Sequence, residues 1–184
     1  MVASMTSLKT SRLVLRPPAF SDIEAFHALW SDSAVTKHIK RHPHTTRTQS
    51  EARLERMLER HAAGDIKSWV FTEPEGPMLG FVGLCRFVPE HRRAEVAYEL
   101  LPTHWGKGYV REALLEVVDH AFDTLMLHRL EGHADVDNAR SIRVLEQCGF
   151  THEARIRENF LFDGRFHDTV IYGRVANDHD PEEA

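Results

Sequence analysis

Cysteine is nearly absent from this chain: there are 2 in 184 residues, Cys85 and Cys148. They form no metal-binding or redox motif, and both read as small buried hydrophobes. Also missing is any apolar run of membrane-spanning length, and the opening MVASMTSLKTSR has no apolar core of the secretory kind. The expectation is a cytoplasmic chain with no membrane partner. Nor is positive charge in excess. The 23 basic residues face 28 acidic ones, a formal charge of −5 that argues against direct nucleic-acid binding. Low-complexity tracts, internal repeats and convincing linkers are lacking too. What is there, 42% hydrophobic and 28% charged, suits one domain with a real core. Residues 1–176 are expected to form it, with 177–184 a loose acidic tail.

Within that domain, Leu13-Val14-Leu15 reads as a short strand ahead of Pro17-Pro18. Ser21 and Glu24 have capping-box spacing, in which a hydroxyl and a carboxylate satisfy free amides, and predict a helix to about Trp30. A second box, Thr48 to Glu51, opens a charged helix with Leu54, Met57 and Leu58 inward, ending near Gly64. Strand-like runs follow at 69–72, 79–87 and 94–101, the first two joined across Pro74-Glu75-Gly76-Pro77. Val110, Ala113, Leu114, Val117, Val118, Ala121, Phe122 and Leu125 then recur at helical spacing. Residues 129–136 read as a strand, and 141–148 as a helix closed by Gly149. Two last strands, 155–162 and 167–174, flank an Asp163-Gly164 hairpin turn. Consecutive strands in mid-chain point to a mixed sheet with helices packed on it, an α/β (α+β) fold.

Directly before the strongest helix stands HWGKGYV, residues 104–110. The first amides of a helix lack partners and carry the positive end of its dipole, which suits an anion. Glycine at 106 and 108 lets a phosphate approach the backbone. Strand, glycine loop and long helix in succession fit a pyrophosphate cradle, and equally a tight connection with no ligand. The loop is not the triphosphate-binding kind, since no Gly-Lys-Ser/Thr follows. Nor is it the dinucleotide fingerprint, whose third glycine is missing.

Three segments in order, AEVAYELLPTHWGKGYVREAL, NARSIRVLEQCGF and FDGRFHDTVIYGRV, resemble the GNAT family of acetyl-CoA-dependent N-acetyltransferases. The likeness begins at TSRLVLRPP (10–18), covers nearly the whole chain, and is to the RimJ/RimL branch of protein N-terminal acetyltransferases. It implies the GNAT fold, a mixed and mostly antiparallel central sheet with flanking helices and a splay between the fourth and fifth strands. By the same resemblance, Trp105, Gly106, Lys107, Gly108, Tyr109 and Val110 wrap the pyrophosphate of acetyl-CoA, mainly through backbone amides. The wider family usually has Gly or Ala where this chain has Val110. Leu100 and Leu101 would bond the pantetheine amides as an added strand does. Asn138 would contact the cofactor arm, a position that also suits a helix N-cap.

Direct acetyl transfer needs a neutral amine, a carboxylate to take its proton and a hydroxyl to protonate the leaving thiolate. The resemblance offers Glu95 and Glu153 as bases, with Glu99 a third. Each would otherwise be a solvated residue or an arginine's ion-pair partner. Alternation places Glu95, Ala97 and Glu99 on one strand face and Val96, Tyr98 and Leu100 on the other. Much of the wider family has a tyrosine where Leu145 stands, and leucine cannot donate a proton, so the acid role moves to Ser141. Tyr98 is a weaker alternative. No metal is implied: His38, His42 and His44 have no acidic or cysteine ligand beside them in a recognised pattern. The acceptor expected is a protein N-terminal α-amino group. The alternatives are a polyamine, amino acid or antibiotic amine, or no catalysis at all in a coenzyme-A-binding module. The stretch 34–47 holds Lys37, Lys40, Arg41 and Arg47 and no acid, which would draw in an acidic peptide or simply offset the acidic helix beyond it. Assembly as a homodimer is left open.

Overall fold

The computed structural model describes residues 6–178. The elements are β1 (Leu8–Lys9), β2 (Val14–Arg16), α1 (Ile23–Ser31), α2 (Ser33–Thr36), α3 (Arg47–Ala63), β3 (Lys67–Thr72), β4 (Met78–Val88) and β5 (Arg93–Leu100). Then come α4 (Tyr109–Asp119), β6 (Arg129–Asp135), α5 (Ala139–Gln147), β7 (Thr151–Phe162) and β8 (Arg165–Val175). The strands form one sheet in the order β1-β2-β3-β4-β5-β6-β8-β7. Every neighbouring pair is antiparallel except β5 and β6. Among the described residues no helix is long and apolar enough to cross a membrane.

A core lies on each face of the sheet. On one, α4 buries Ala113, Leu114, Val117 and Val118 against Val82, Leu84, Ala94 and Val96, and Leu145 of α5 joins them. On the other, Phe26, Leu29 and Trp30 of α1 and Leu54 of α3 pack on Val70 and Phe81. The strand alternation read from sequence therefore holds in β5: Ala94, Val96 and Leu100 face α4, and the odd-numbered residues face α1 and α3.

The feature that positions the site is a fork. β5 and β6 pair only from Arg93↔Arg129 to Val96↔Gly132. Beyond that they separate, and residues 97–100 have no partner on β6. This is the expected splay, which falls between the fifth and sixth strands because Leu8–Lys9 adds a strand ahead of those read from the sequence.

Several local expectations are corrected. α3 is capped by Thr46, whose hydroxyl accepts from the Gln49 amide, and not by Thr48. At α1 the carboxylate of Asp22, not Ser21, accepts the Ala19 amide. The helix through Leu125 is α-helical to Asp119 and finishes as a π-turn over His120–Thr124. β7 starts at Thr151, not Arg155, so Glu153 lies on it. Cys148 is buried as expected, while Cys85 is only half-buried, on the face of Glu95. The tail expected from 177 falls mostly outside the described residues, and 176–178 form a single 3-10 turn.

Candidate active site

The glycine loop enters α4 by two left-handed residues, Gly106 at φ +76° and Gly108 at φ +81°. That conformation costs a side-chain-bearing residue about 1–2 kcal/mol. A Cβ at 106 would meet nothing within 4 Å, so this backbone faces open space. The loop is braced from a residue that sequence reasoning did not single out. Arg12 donates to the Lys107 carbonyl at 3.1 Å, pairs with Glu112 at 2.6 Å and lies over the Tyr109 ring. Burial opposes the charge on Glu112, but hydrogen bonds from Thr10 and Arg12 outweigh it and lower its pKa. Tyr109 and Val110 turn their side chains into the core, and the Tyr109 hydroxyl donates to Glu73. Val110 thus keeps its bulk away from the loop's open side.

Trp105 closes the other end of the loop. Its indole N–H donates to the Leu100 carbonyl at 2.9 Å, and Arg140, at the start of α5, lies over its ring at 4.3 Å. Leu101 is committed within the fold: its N–H bonds the Leu79 carbonyl and its carbonyl accepts from His104. Because backbone groups alternate sides along a strand, those of Tyr98 and the N–H of Leu100 point into the fork. Of the two residues expected to bond a pantetheine arm, the structure therefore turns Leu100 toward the gap and Leu101 away from it.

On the α5 side of the fork, the hydroxyls of Tyr98 and Ser141 lie 2.8 Å apart. Burial pushes the Tyr98 pKa up, so the phenol keeps its proton. Asn138 accepts the Ser141 amide at 3.2 Å, which is the N-cap of α5. Leu145 fills the place behind them, its side chain where a Cβ on Gly132 would go.

On the α1/α3 side, each candidate carboxylate has an arginine. Both oxygens of Glu95 accept from one nitrogen of Arg86 at 3.1 Å. Glu99 pairs with Arg53 at 3.0 Å, and that guanidinium lies over Trp30. Glu153 is held by Arg129 and sits over Gly173, on the paired side of the sheet behind the fork. Its pKa is lowered by the Arg129 hydrogen bond. Glu131 bridges Arg93 and Arg129, both at 2.9 Å. The structure thus brings Glu95 to the fork and sets Glu153 apart from it. Glu95, Glu131 and His133 could approach one cation. Arg86, Arg93 and Arg129 already supply the charge those carboxylates need, so the cluster reads as an ion network. The three histidines of 38–44 do not converge: His42 lies against Phe162 and Asp163, and His44 bonds Ser50.

Beside the open end of β6, Lys40 pairs with Asp135 at 2.7 Å and borders a groove of about 440 Å³. Lys37, Arg165, His167, Phe162 and Asp163 line the rest. Among the described residues neither Lys37 nor Arg165 forms an ion pair.

Comparison with known proteins fits this geometry. Residues 12–151 match the family described as acetyltransferase (GNAT) domain. The spermidine N(1)-acetyltransferase of Vibrio cholerae is 28% identical over 86% of this chain and 90% of its own. The ribosomal-protein-serine acetyltransferase of Escherichia coli is 28% identical over 64% of this chain and 65% of its own. The structure of RimL, a ribosomal L7/L12 alpha-N-protein acetyltransferase in complex with coenzyme A, superposes with a TM-score of 0.85. At 20% identity, over 95% of this chain and 100% of that one, it shows likeness of fold. With the family matched across the fork, the loop and α5 alike, this chain belongs to the GNAT family of N-acetyltransferases.

Proposed function

We propose that the chain transfers acetyl from acetyl-CoA to the free α-amino group of a protein N-terminus that is followed by acidic residues. The observation that carries the acceptor is the groove beside the open end of β6, where among the described residues Lys37 and Arg165 form no ion pair, while Lys40 is paired with Asp135 and Asp163 lines the wall beside His167. An α-amino group, with an ordinary pKa near 8, also loses its proton more readily than a lysine, near 10.4.

The residues present fit the donor. The amides that open α4, which have no partner within the helix, and the open backbone at Gly106 suit a pyrophosphate, with Lys107 beside it. The fork edge at Tyr98 and Leu100 suits amide pairing by an extended arm. Asn138, using its oxygen as a cap, keeps its NH2 to donate. When bound, acetyl-CoA supplies the thioester. Ser141 protonates the departing sulfur, and Tyr98, which keeps its own proton, holds the Ser141 hydroxyl at 2.8 Å.

A second reading has its own support in the spermidine acetyltransferase relative. Against it, Glu95, Glu99 and Asp135 are each neutralised by Arg86, Arg53 and Lys40, so a polycation meets little net negative charge. Initial rates for matched acidic and neutral peptides, with spermidine alongside, separate the two. The acidic peptide is expected to react fastest at low salt, with added salt narrowing the gap as screening weakens exposed charges. Equal peptide rates at low salt would reject the groove's role, and preference for spermidine would favour the second reading.

A further inference from the structure

An attacking amine must give up a proton. Each carboxylate near the fork is paired with an arginine, and the Glu99 oxygen that has no partner among the described residues is buried. His133 differs from them. It is the first residue of β6 past the last β5–β6 pair, Val96↔Gly132, so it stands where the strands begin to part. Its parity puts it on the face of Glu95 and Ala97, toward α1 and α3, opposite the Tyr98–Ser141 hydroxyls. The ring is open to solvent, with 29% of the side chain exposed. Nδ1 lies 3.8 Å from Glu95 and Nε2 3.5 Å from Glu131, and among the described residues neither nitrogen makes a hydrogen bond. Glu95 and Glu131 in turn are held by Arg86, Arg93 and Arg129. On β8 its neighbour in register is Ile171, which carries no charge.

We propose that His133 is the catalytic base of the acetyl transfer. The neutral imidazole takes the proton of the amine nitrogen as the N–C bond forms and the C–S bond breaks. The sulfur receives its proton from the Ser141 hydroxyl on the other side of the fork. His133 then releases its proton to solvent, and water restores the hydroxyl, so protons balance without a further reactant. General bases of this kind contribute roughly 10²–10⁴-fold to rate. The assignment rests on acetyl transfer and not on which amine is acetylated.

The test uses the full chain with His133→Ala and His133→Gln. Acetyl-CoA affinity is measured by calorimetry, and turnover on whichever of the acidic peptide and spermidine the wild type acetylates. Turnover is expected to fall about 100-fold or more, with acetyl-CoA affinity nearly unchanged. Added imidazole should restore activity to His133→Ala but not to His133→Gln, whose side chain fills the space. Independently, acetyl-CoA should shield His133 of the wild type from diethyl pyrocarbonate, read by peptide mass spectrometry. Full turnover in both variants, loss without imidazole rescue, or absence of shielding would each overturn the assignment. If the wild type acetylates neither amine, the acceptor reading fails, and shielding still decides whether His133 adjoins the thioester.

Discussion

Gly108 shows how one backbone angle can carry a binding site. At φ +81° it turns the chain into α4, and a Cβ there would stand 3.5 Å from the Arg12 guanidinium. Gly108→Val should cost about 1–2 kcal/mol in that conformation. Released by relaxation of the loop, this would weaken acetyl-CoA binding roughly tenfold. Calorimetry on the variant checks it, and unchanged affinity would remove the loop from the donor site. The glycines were legible in the sequence because a strand, two glycines and a helix leave few other ways to enter α4. The Arg12 brace was not, since its contact with Lys107 spans 95 residues. The arginine partners of Glu95, Glu99 and Glu153 were foreseen only as a class. Which arginine meets which glutamate depends on strand register, and those pairings are the reason the proposed base is a histidine that the sequence did not mark.

Among the elements, α3 was misplaced by two residues because TTRTQSE contains two overlapping capping signatures. Thr46 with Gln49 and Thr48 with Glu51 both have the spacing. Hydrogen bonding chooses between them. Gln49 Oε1 accepts the Thr45 and Thr46 amides at 2.7 and 3.1 Å while the Thr46 hydroxyl accepts the Gln49 amide, which closes the first box. Ser50 is held in the helix that follows by His27 and His44, each at 2.8 Å. Thr46→Ala is therefore expected to lower stability by about 1 kcal/mol, with Thr48→Ala nearly neutral. Urea denaturation of the two variants decides it, and the reverse order would refute the cap. The start of β7 was missed for another reason. β7 is an edge strand exposed along almost its whole length, so no alternation of apolar residues announces it. α4, buried along one side, was found from its spacing alone.

At the scale of the whole molecule, four histidines share a bias. Burial is the leading cause that holds His38, His44, His61 and His120 below the ordinary imidazole value of 6.5. The native state keeps these rings neutral where the unfolded chain would protonate them. The unfolded state therefore binds more protons, and stability falls as pH drops below about 6.5. The thermal midpoint should be lower at pH 5.5 than at pH 7.5, before the carboxylates begin to titrate. A midpoint that is equal or higher at the acid value would contradict the bias.

The fork also separates two kinds of change. The hydroxyl pair and the glycine loop approach it from the α4 and α5 side, while the arginine-paired carboxylates, His133 and the basic groove border it from the α1 and α3 side. Substitutions that suit a new amine can accumulate on one surface while the apparatus for the thioester stays as it was on the other. Relatives named for a small polycation and for a ribosomal protein are what such a divided architecture would leave behind: one inherited half, one negotiable half.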